Sequence, residues 1–189
     1  MAFDACGASN LVHKGRIAEG ETMDQQTRGR YALVPRTLIF LRRDDAVLLL
    51  RGAAHKWFAG RYNGVGGHVE RGETIIEAAM RETYEETGVQ PTDLALRGVI
   101  HIVGDPGVLL FVFVGRAVGD IHATTDEGTL EWIPLSALAN MPLVADLRWL
   151  LPRVLDEQRE IVYATFTFAN NHVEIRTPGG DIETIELDT

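Results

Sequence analysis

Residues Gly66–Val89 read GGHVERGETIIEAAMRETYEETGV. Thr74 followed three residues later by Glu77 has the form of a capping box, in which two side chains satisfy the free backbone donors at a helix start. Ala, Met, Glu and Arg behind it are good helix formers. Gly88 stands where a glycine commonly ends a helix in the left-handed conformation. The stretch therefore predicts a helix over Ile75–Thr87. On that helix Glu82, Glu85 and Glu86 are spaced i, i+3, i+4 and share one face. Three neighbouring carboxylates each disfavour ionisation of the others. One meaning is a solvated acidic face. The other is a site for hard divalent cations, which take oxygen ligands. Ions held there would clamp phosphate oxygens and lower the pKa of an attacking water.

Upstream, Gly52 to Gly67 is rich in glycine and aromatics with no steady period, and reads as a functional loop. Thr37–Leu41 and Ala46–Arg51 before it are strands around a polar turn at Arg42–Asp45. Downstream, Leu96–Val103 and Gly107–Val118 are strands around Gly104-Asp105-Pro106. Leu109–Val114 is apolar throughout, which predicts a central strand buried on both faces. Leu130–Ile133 is a further short strand, and Pro134–Leu138 opens a short helix. Leu147–Glu160 is a second amphipathic helix that tolerates Pro152 in its early turns. The tail reads as strand at Ile161–Phe168, His172–Arg176 and Ile182–Leu187.

Residues 1–30 are polar and aperiodic, as expected of a flexible arm, and 31–189 read as one domain. Of 189 residues 46% are hydrophobic, enough for a sizeable core. No apolar run is long enough to span a membrane, and no basic start with an apolar run suggests a signal peptide. The single cysteine, Cys6, excludes a disulfide within the chain, so a cytoplasmic location is expected. A net charge of −9 argues against a nucleic-acid polymer as partner. A small anionic substrate remains compatible, because metal ions can supply positive charge locally.

The quoted stretch resembles the Nudix box: Gly, five residues, Glu, seven residues, Arg-Glu, an apolar residue, any residue, Glu-Glu, any residue, Gly and an apolar residue. Those positions are Gly67, Glu73, Arg81, Glu82, Thr83, Glu85, Glu86, Gly88 and Val89. All seven fixed residues match, for which chance odds are about one in a million at usual residue frequencies. Thr83 alone departs from the pattern, where the family prefers an aliphatic residue. The resemblance implies an α+β fold, an α/β/α sandwich around a mixed sheet. It implies hydrolysis of a nucleoside diphosphate linked to another moiety, with Mg²⁺ as cofactor and Mn²⁺ as a substitute. Glu82, Glu85, Glu86 and the backbone carbonyl of Gly66 would hold the metal. Glu73 and Arg81 would pair to hold the loop on the helix, with Gly67, Gly72 and Gly88 giving the backbone its tight turns.

The flanks resemble the MutT branch, especially the oxidised-purine nucleoside triphosphatases. In WFAGRYNGVGG, Trp57–Gly67, that likeness makes Trp57 a stacking platform for the base and Asn63 a reader of its edge. Asp126-Glu127 followed by EWIPL from Glu131 implies Glu127 as a fourth metal ligand or general base. Glu85, Glu86 and Glu127 are thus the candidate catalytic carboxylates, and Arg51 is a candidate phosphate contact. Oxidised-purine enzymes carry two adjacent acids before the last helix; here Ala145 and Asp146 stand there, leaving one. A lysine commonly follows the glycine pair, where this chain has His68. The favoured expectation is conversion of a nucleoside triphosphate such as 8-oxo-dGTP to monophosphate and pyrophosphate. The alternatives are hydrolysis of ADP-ribose, nucleotide sugars or dinucleoside polyphosphates, and a non-catalytic nucleotide sensor.

Overall fold

The computed structural model describes residues 29–122 and 124–187. The arm expected over 1–30 lies outside these, apart from Gly29 and Arg30 in an exposed turn. The second of two compact units comprises Leu33–Thr189. Its strands are β1 (Leu33–Arg43), β2 (Ala46–Gly52), β3 (Tyr62–Asn63), β4 (Pro91–Ile102), β5 (Gly107–Ala117), β6 (Thr124–Thr125), β7 (Gly128–Pro134), β8 (Val162–Phe168), β9 (His172–Arg176) and β10 (Ile182–Glu186). Two α-helices accompany them, α1 (Ile75–Thr87) and α2 (Leu147–Val154), with a 3₁₀ helix at Leu135–Asn140. All ten strands form one sheet in the order β10-β9-β8-β4-β5-β1-β2-β7-β6, with β3 paired to β2. The sheet is mixed: β1 runs parallel to β5 and antiparallel to β2, and β4 runs parallel to β8. Four successive residues of β1, Leu38 to Leu41, are all buried. Successive strand residues point to opposite faces, so both faces of the sheet are covered here. This is the α+β sandwich implied by the box.

Helix α1 has the expected bounds for local reasons. Thr74 accepts from the Glu77 N–H at 3.3 Å while the Glu77 carboxylate accepts from the Thr74 N–H at 2.7 Å. Gly88 at φ 78° donates its N–H to the Tyr84 carbonyl. Thr83, at the position where an aliphatic residue is usual, is fully buried and donates its hydroxyl to the Ala79 carbonyl at 2.7 Å. The bond satisfies the polar group within the helix itself.

Two expectations need correction. Helix α2 stops at Val154 rather than Glu160. The Arg97 guanidinium, reaching from β4, donates to the Val154 carbonyl at 3.3 Å, the Arg159 carbonyl at 2.9 Å and the Asp156 carbonyl. It takes up the Val154 carbonyl that the helix end leaves open and ties down the segment behind it, while the Asp156 side chain accepts from the Gln158 N–H and forms a turn. Strand β5 is central, but only Val112 and Phe113 in its apolar run are buried; Leu109–Phe111 are partly open. Leu110 borders one cavity and Leu109 a groove elsewhere.

The loop entering α1 is zipped along β1. The Thr37 N–H donates to the Gly67 carbonyl at 2.8 Å, and Ile39 and Val65 exchange backbone bonds of 2.7 and 3.2 Å. These bonds fix Gly66 and Gly67 between β1 and α1. Among the described residues, no helix is long and apolar enough to cross a membrane.

Candidate active site

Arg81 organises the acidic end of α1. Its Nε and Nη2 donate to the two Glu73 carboxylate oxygens at 3.2 and 2.8 Å, a two-pronged bond. Nη2 also donates to the His68 carbonyl at 3.0 Å, and Nη1 donates to Glu82 at 2.9 Å and Glu85 at 3.2 Å. Glu73 is held below the usual carboxylate range, first by the Arg81 bond and then by the Glu70 N–H. The box loop is thereby tied to the helix that carries the acidic face.

Glu86 sits deeper. Burial, with the Glu82 charge adding, pushes its carboxyl up to about 8, against an opposing N–H bond from Gly66. Its Oε2 is buried with no hydrogen-bond partner. A buried, unpartnered carboxylate oxygen is costly unless something pairs with it. Two nearby positions are glycine: a Cβ on Gly66 would strike the Thr37 carbonyl oxygen, which is fixed backbone, and one on Gly67 would displace the Glu82 carboxylate. Glu127, in the turn between β6 and β7, adds to the negative charge felt by Glu86. Its carboxylate pairs with Lys56, and its carbonyl accepts from the Ala53 N–H at 2.9 Å. Among the described residues no three His, Cys, Asp or Glu side chains form a ready cage for an ion; Glu82 and Glu85 turn to Arg81 instead. The candidate donors, carboxylates with the Gly66 carbonyl, are nevertheless all oxygen, and the orphaned Glu86 Oε2 beside a glycine cradle fits a hard divalent cation. Adding millimolar Mg²⁺ should raise the melting temperature, because the folded cluster binds the ion and the unfolded chain does not. A melting curve insensitive to metal would mean that the cluster does not hold the ion.

Glu86 and Glu127 line a cavity of about 400 Å³ together with Gly66, Trp57, Asn63 and Asp146. Trp57, 79% exposed, stands edge-on to Phe58 with ring centroids 5.3 Å apart. Asn63, at the end of β3, uses its Oδ1 to accept from the Gly64 N–H at 2.9 Å. Tyr62 beside it donates its hydroxyl to Glu131 of β7 at 2.8 Å, which ties β3 across β2. Arg51 is not among the residues lining this cavity; it is exposed on β2, and its charge acts on Tyr62. The cations that line the cavity are Arg36 and Lys56, which sequence reasoning missed. Lys56 was within reach, since it immediately precedes Trp57 in the loop. Arg36 was not, because only the pairing of β1 with the box loop brings it there.

Asp146, at the start of α2, has its carboxyl raised to about 6, chiefly by burial, although the Asp146 and Leu147 N–H groups oppose the shift. A folded carboxyl titrating above its unfolded value of 3.8 binds more protons in the native state between those limits. Its contribution to stability therefore falls as pH rises from about 4 to about 6, and stays low above that. Asp146→Asn removes the buried charge. The variant should melt about 2–4 °C above the native protein at pH 7.5, corresponding to on the order of 1 kcal/mol, and this gain should shrink as the pH is lowered toward 4. An equal difference in melting temperature at pH 7.5 and pH 4.5 would contradict the assignment.

The NUDIX domain family matches residues 32–158, about two thirds of the chain. This chain belongs to the Nudix family. An uncharacterized Nudix hydrolase of Bacillus subtilis, YvcI, is 30% identical over 68% of this chain and 82% of its own length. An oxidized purine nucleoside triphosphate hydrolase of Mus musculus is 32% identical over 65% of this chain and 80% of its own. Among solved structures, a mutator MutT protein from Bacillus halodurans superposes with a TM-score of 0.64 at 28% identity, over 82% of this chain and 98% of that one. The protein is thus a Nudix hydrolase acting on nucleotide substrates. The matched region contains α1 and the Trp57 loop, and ends before β8.

Proposed function

We propose that this Nudix hydrolase cleaves a purine nucleoside triphosphate, with an oxidised purine such as 8-oxo-dGTP favoured, to the monophosphate and pyrophosphate. The observation that carries this reading is a single cavity lined by an exposed tryptophan, an amide and a carboxyl suited to a base, and by Glu86, Glu127, Lys56 and Arg36 suited to phosphates. Trp57 offers a flat apolar face on which any base can stack. Asn63 and Asp146 offer donors and acceptors to a base edge. Lys56 and Arg36 attract the triphosphate, and one of the carboxylates Glu85, Glu86 or Glu127 takes the proton of the attacking water. Glu82, Glu85, Glu86, Glu127 and the Gly66 backbone would hold Mg²⁺, with Mn²⁺ able to replace it. When bound, the ion neutralises charge on the phosphate oxygens and makes water a better nucleophile. The oxidized purine nucleoside triphosphate hydrolase of mouse supports the same substrate class.

The test is a panel of nucleoside triphosphates, ADP-ribose, nucleotide sugars and dinucleoside polyphosphates, with release of phosphate or pyrophosphate measured. The expected result is the highest kcat/KM for an oxidised purine triphosphate. Trp57→Ala should raise KM about tenfold for all purines together, as loss of stacking does. Asp146→Asn should change the ratio of 8-oxo-dGTP to dGTP turnover, because a carboxyl and an amide present different donors and acceptors. An unchanged ratio together with an unchanged KM in Trp57→Ala would remove the base-pocket assignment. A best substrate among the diphosphate-linked compounds would replace the triphosphate reading.

A further inference from the structure

Strands β8, β9 and β10 lie beyond residue 158, where the family match ends, yet β8 reaches the cavity through Phe168. Strand β8 pairs parallel with β4, aligning Ile102 with Phe166, and the Val103 N–H donates to the Phe166 carbonyl at 2.9 Å. Alternate residues of a strand share a face, so Ala164, Phe166 and Phe168 form one row. Ala164 and Phe166 are buried, and Phe166 meets Trp149 of α2 edge to face at 5.6 Å. Phe168 continues the row past the end of β4. It is 44% exposed and lines the cavity that also holds Trp57, Asn63 and Asp146. Trp57 and Phe168 both border a second, adjoining groove as well, with Ala145 and Asn170. Two exposed aromatic side chains therefore share the rim of one cavity, one from the loop after β2 and one from the tail.

We propose that Phe168 is a specificity-determining residue, a second aromatic wall that the C-terminal strands add to the nucleobase end of the substrate cavity. The inference rests on the nucleotide reading above and extends it to a residue outside the family match. A planar base offers its π-face to any aromatic side chain that it overlaps. A two-ring purine can reach farther along such a rim than a one-ring pyrimidine, so the wall favours purines. A phosphate-only compound does not use it.

The test compares the native protein, Phe168→Ala and Phe168→Leu, with Tyr163→Ala as control. Tyr163 is an exposed aromatic on the other face of β8. Steady-state kinetics on purine and pyrimidine triphosphates would be paired with calorimetric binding of the same nucleotides in the presence of Ca²⁺. Inhibition by inorganic tripolyphosphate serves as the base-free probe. Phe168→Ala should raise KM for purine triphosphates about tenfold, with a smaller rise for pyrimidines. Its kcat should stay within twofold of native and tripolyphosphate inhibition should be unchanged. Phe168→Leu should fall between, and Tyr163→Ala should match the native protein. Nucleotide hydrolysis with a KM indifferent to Phe168 overturns the inference and leaves the function standing. Binding that depends on Phe168 without hydrolysis upholds the inference and removes the catalytic reading. Neither binding nor hydrolysis removes both. A fall in kcat for every substrate, with melting temperature lowered, would make Phe168 a packing residue and overturn the inference.

Discussion

Glu86→Gln should lower kcat by roughly three orders of magnitude, which corresponds to several kcal/mol of transition-state stabilisation lost with a metal-holding carboxylate. The variant should remain folded. In the absence of metal, and at a pH above the value of about 8 to which the Glu86 carboxyl is raised, it should melt at or above the native temperature, because Gln then removes a charge that burial and the neighbouring Glu82 disfavour. The increase in melting temperature that Mg²⁺ gives the native protein should be absent. These results together separate loss of metal from loss of fold. Native turnover in Glu86→Gln at saturating Mg²⁺ would remove Glu86 from the reaction. A low rate accompanied by a depressed metal-free melting temperature would instead assign it a structural role.

Gly66→Ala should destabilise the domain by roughly 3 kcal/mol or more, combining backbone strain with a steric collision, and lower its melting temperature by about 6–12 °C. Gly66 has φ 144°, and a Cβ there would run into the Thr37 carbonyl. Thr37 cannot step aside without breaking the bond from its N–H to the Gly67 carbonyl, which zips the loop to β1. Gly72→Ala is the comparison. Gly72 also has a positive φ, 92°, but nothing lies within 4 Å of the added carbon. It should cost only about 1 kcal/mol. Thermal or urea unfolding of the two variants checks the difference. Equal losses would show that backbone strain alone decides, and that the close approach of loop to strand carries no weight.

Helix α1 was legible to the residue because its determinants are local. Thr74, Glu77 and Gly88 act within one turn of the positions they define. The acidic face follows from helical spacing alone, and so does its ambiguity: spacing cannot tell a solvated face from one turned into a cavity. Only the tertiary structure separates Glu85, which is exposed, from the half-buried Glu86, whose Oε2 is cut off from solvent. That difference arises because the loop zipped along β1 covers one side of the helix and leaves the other open.

The box pattern in Gly67–Val89 was enough to indicate the family and the sandwich, since seven spaced residues together are far rarer than any one of them. The cations facing the cavity were not readable in the same way. Arg51 and Lys56 are close in the chain, but Arg51 is exposed on β2 while Lys56, in the loop that follows, pairs with Glu127. The end of α2 was equally hidden, because its capping group is a guanidinium 57 residues earlier in the chain. Phe168 belongs to the cavity only through the parallel pairing of β8 with β4. Local capping and periodicity act over a few residues and can be read along the chain. Pairing between distant strands sets which side chains share a cavity, and for this protein that was decided by the tertiary structure.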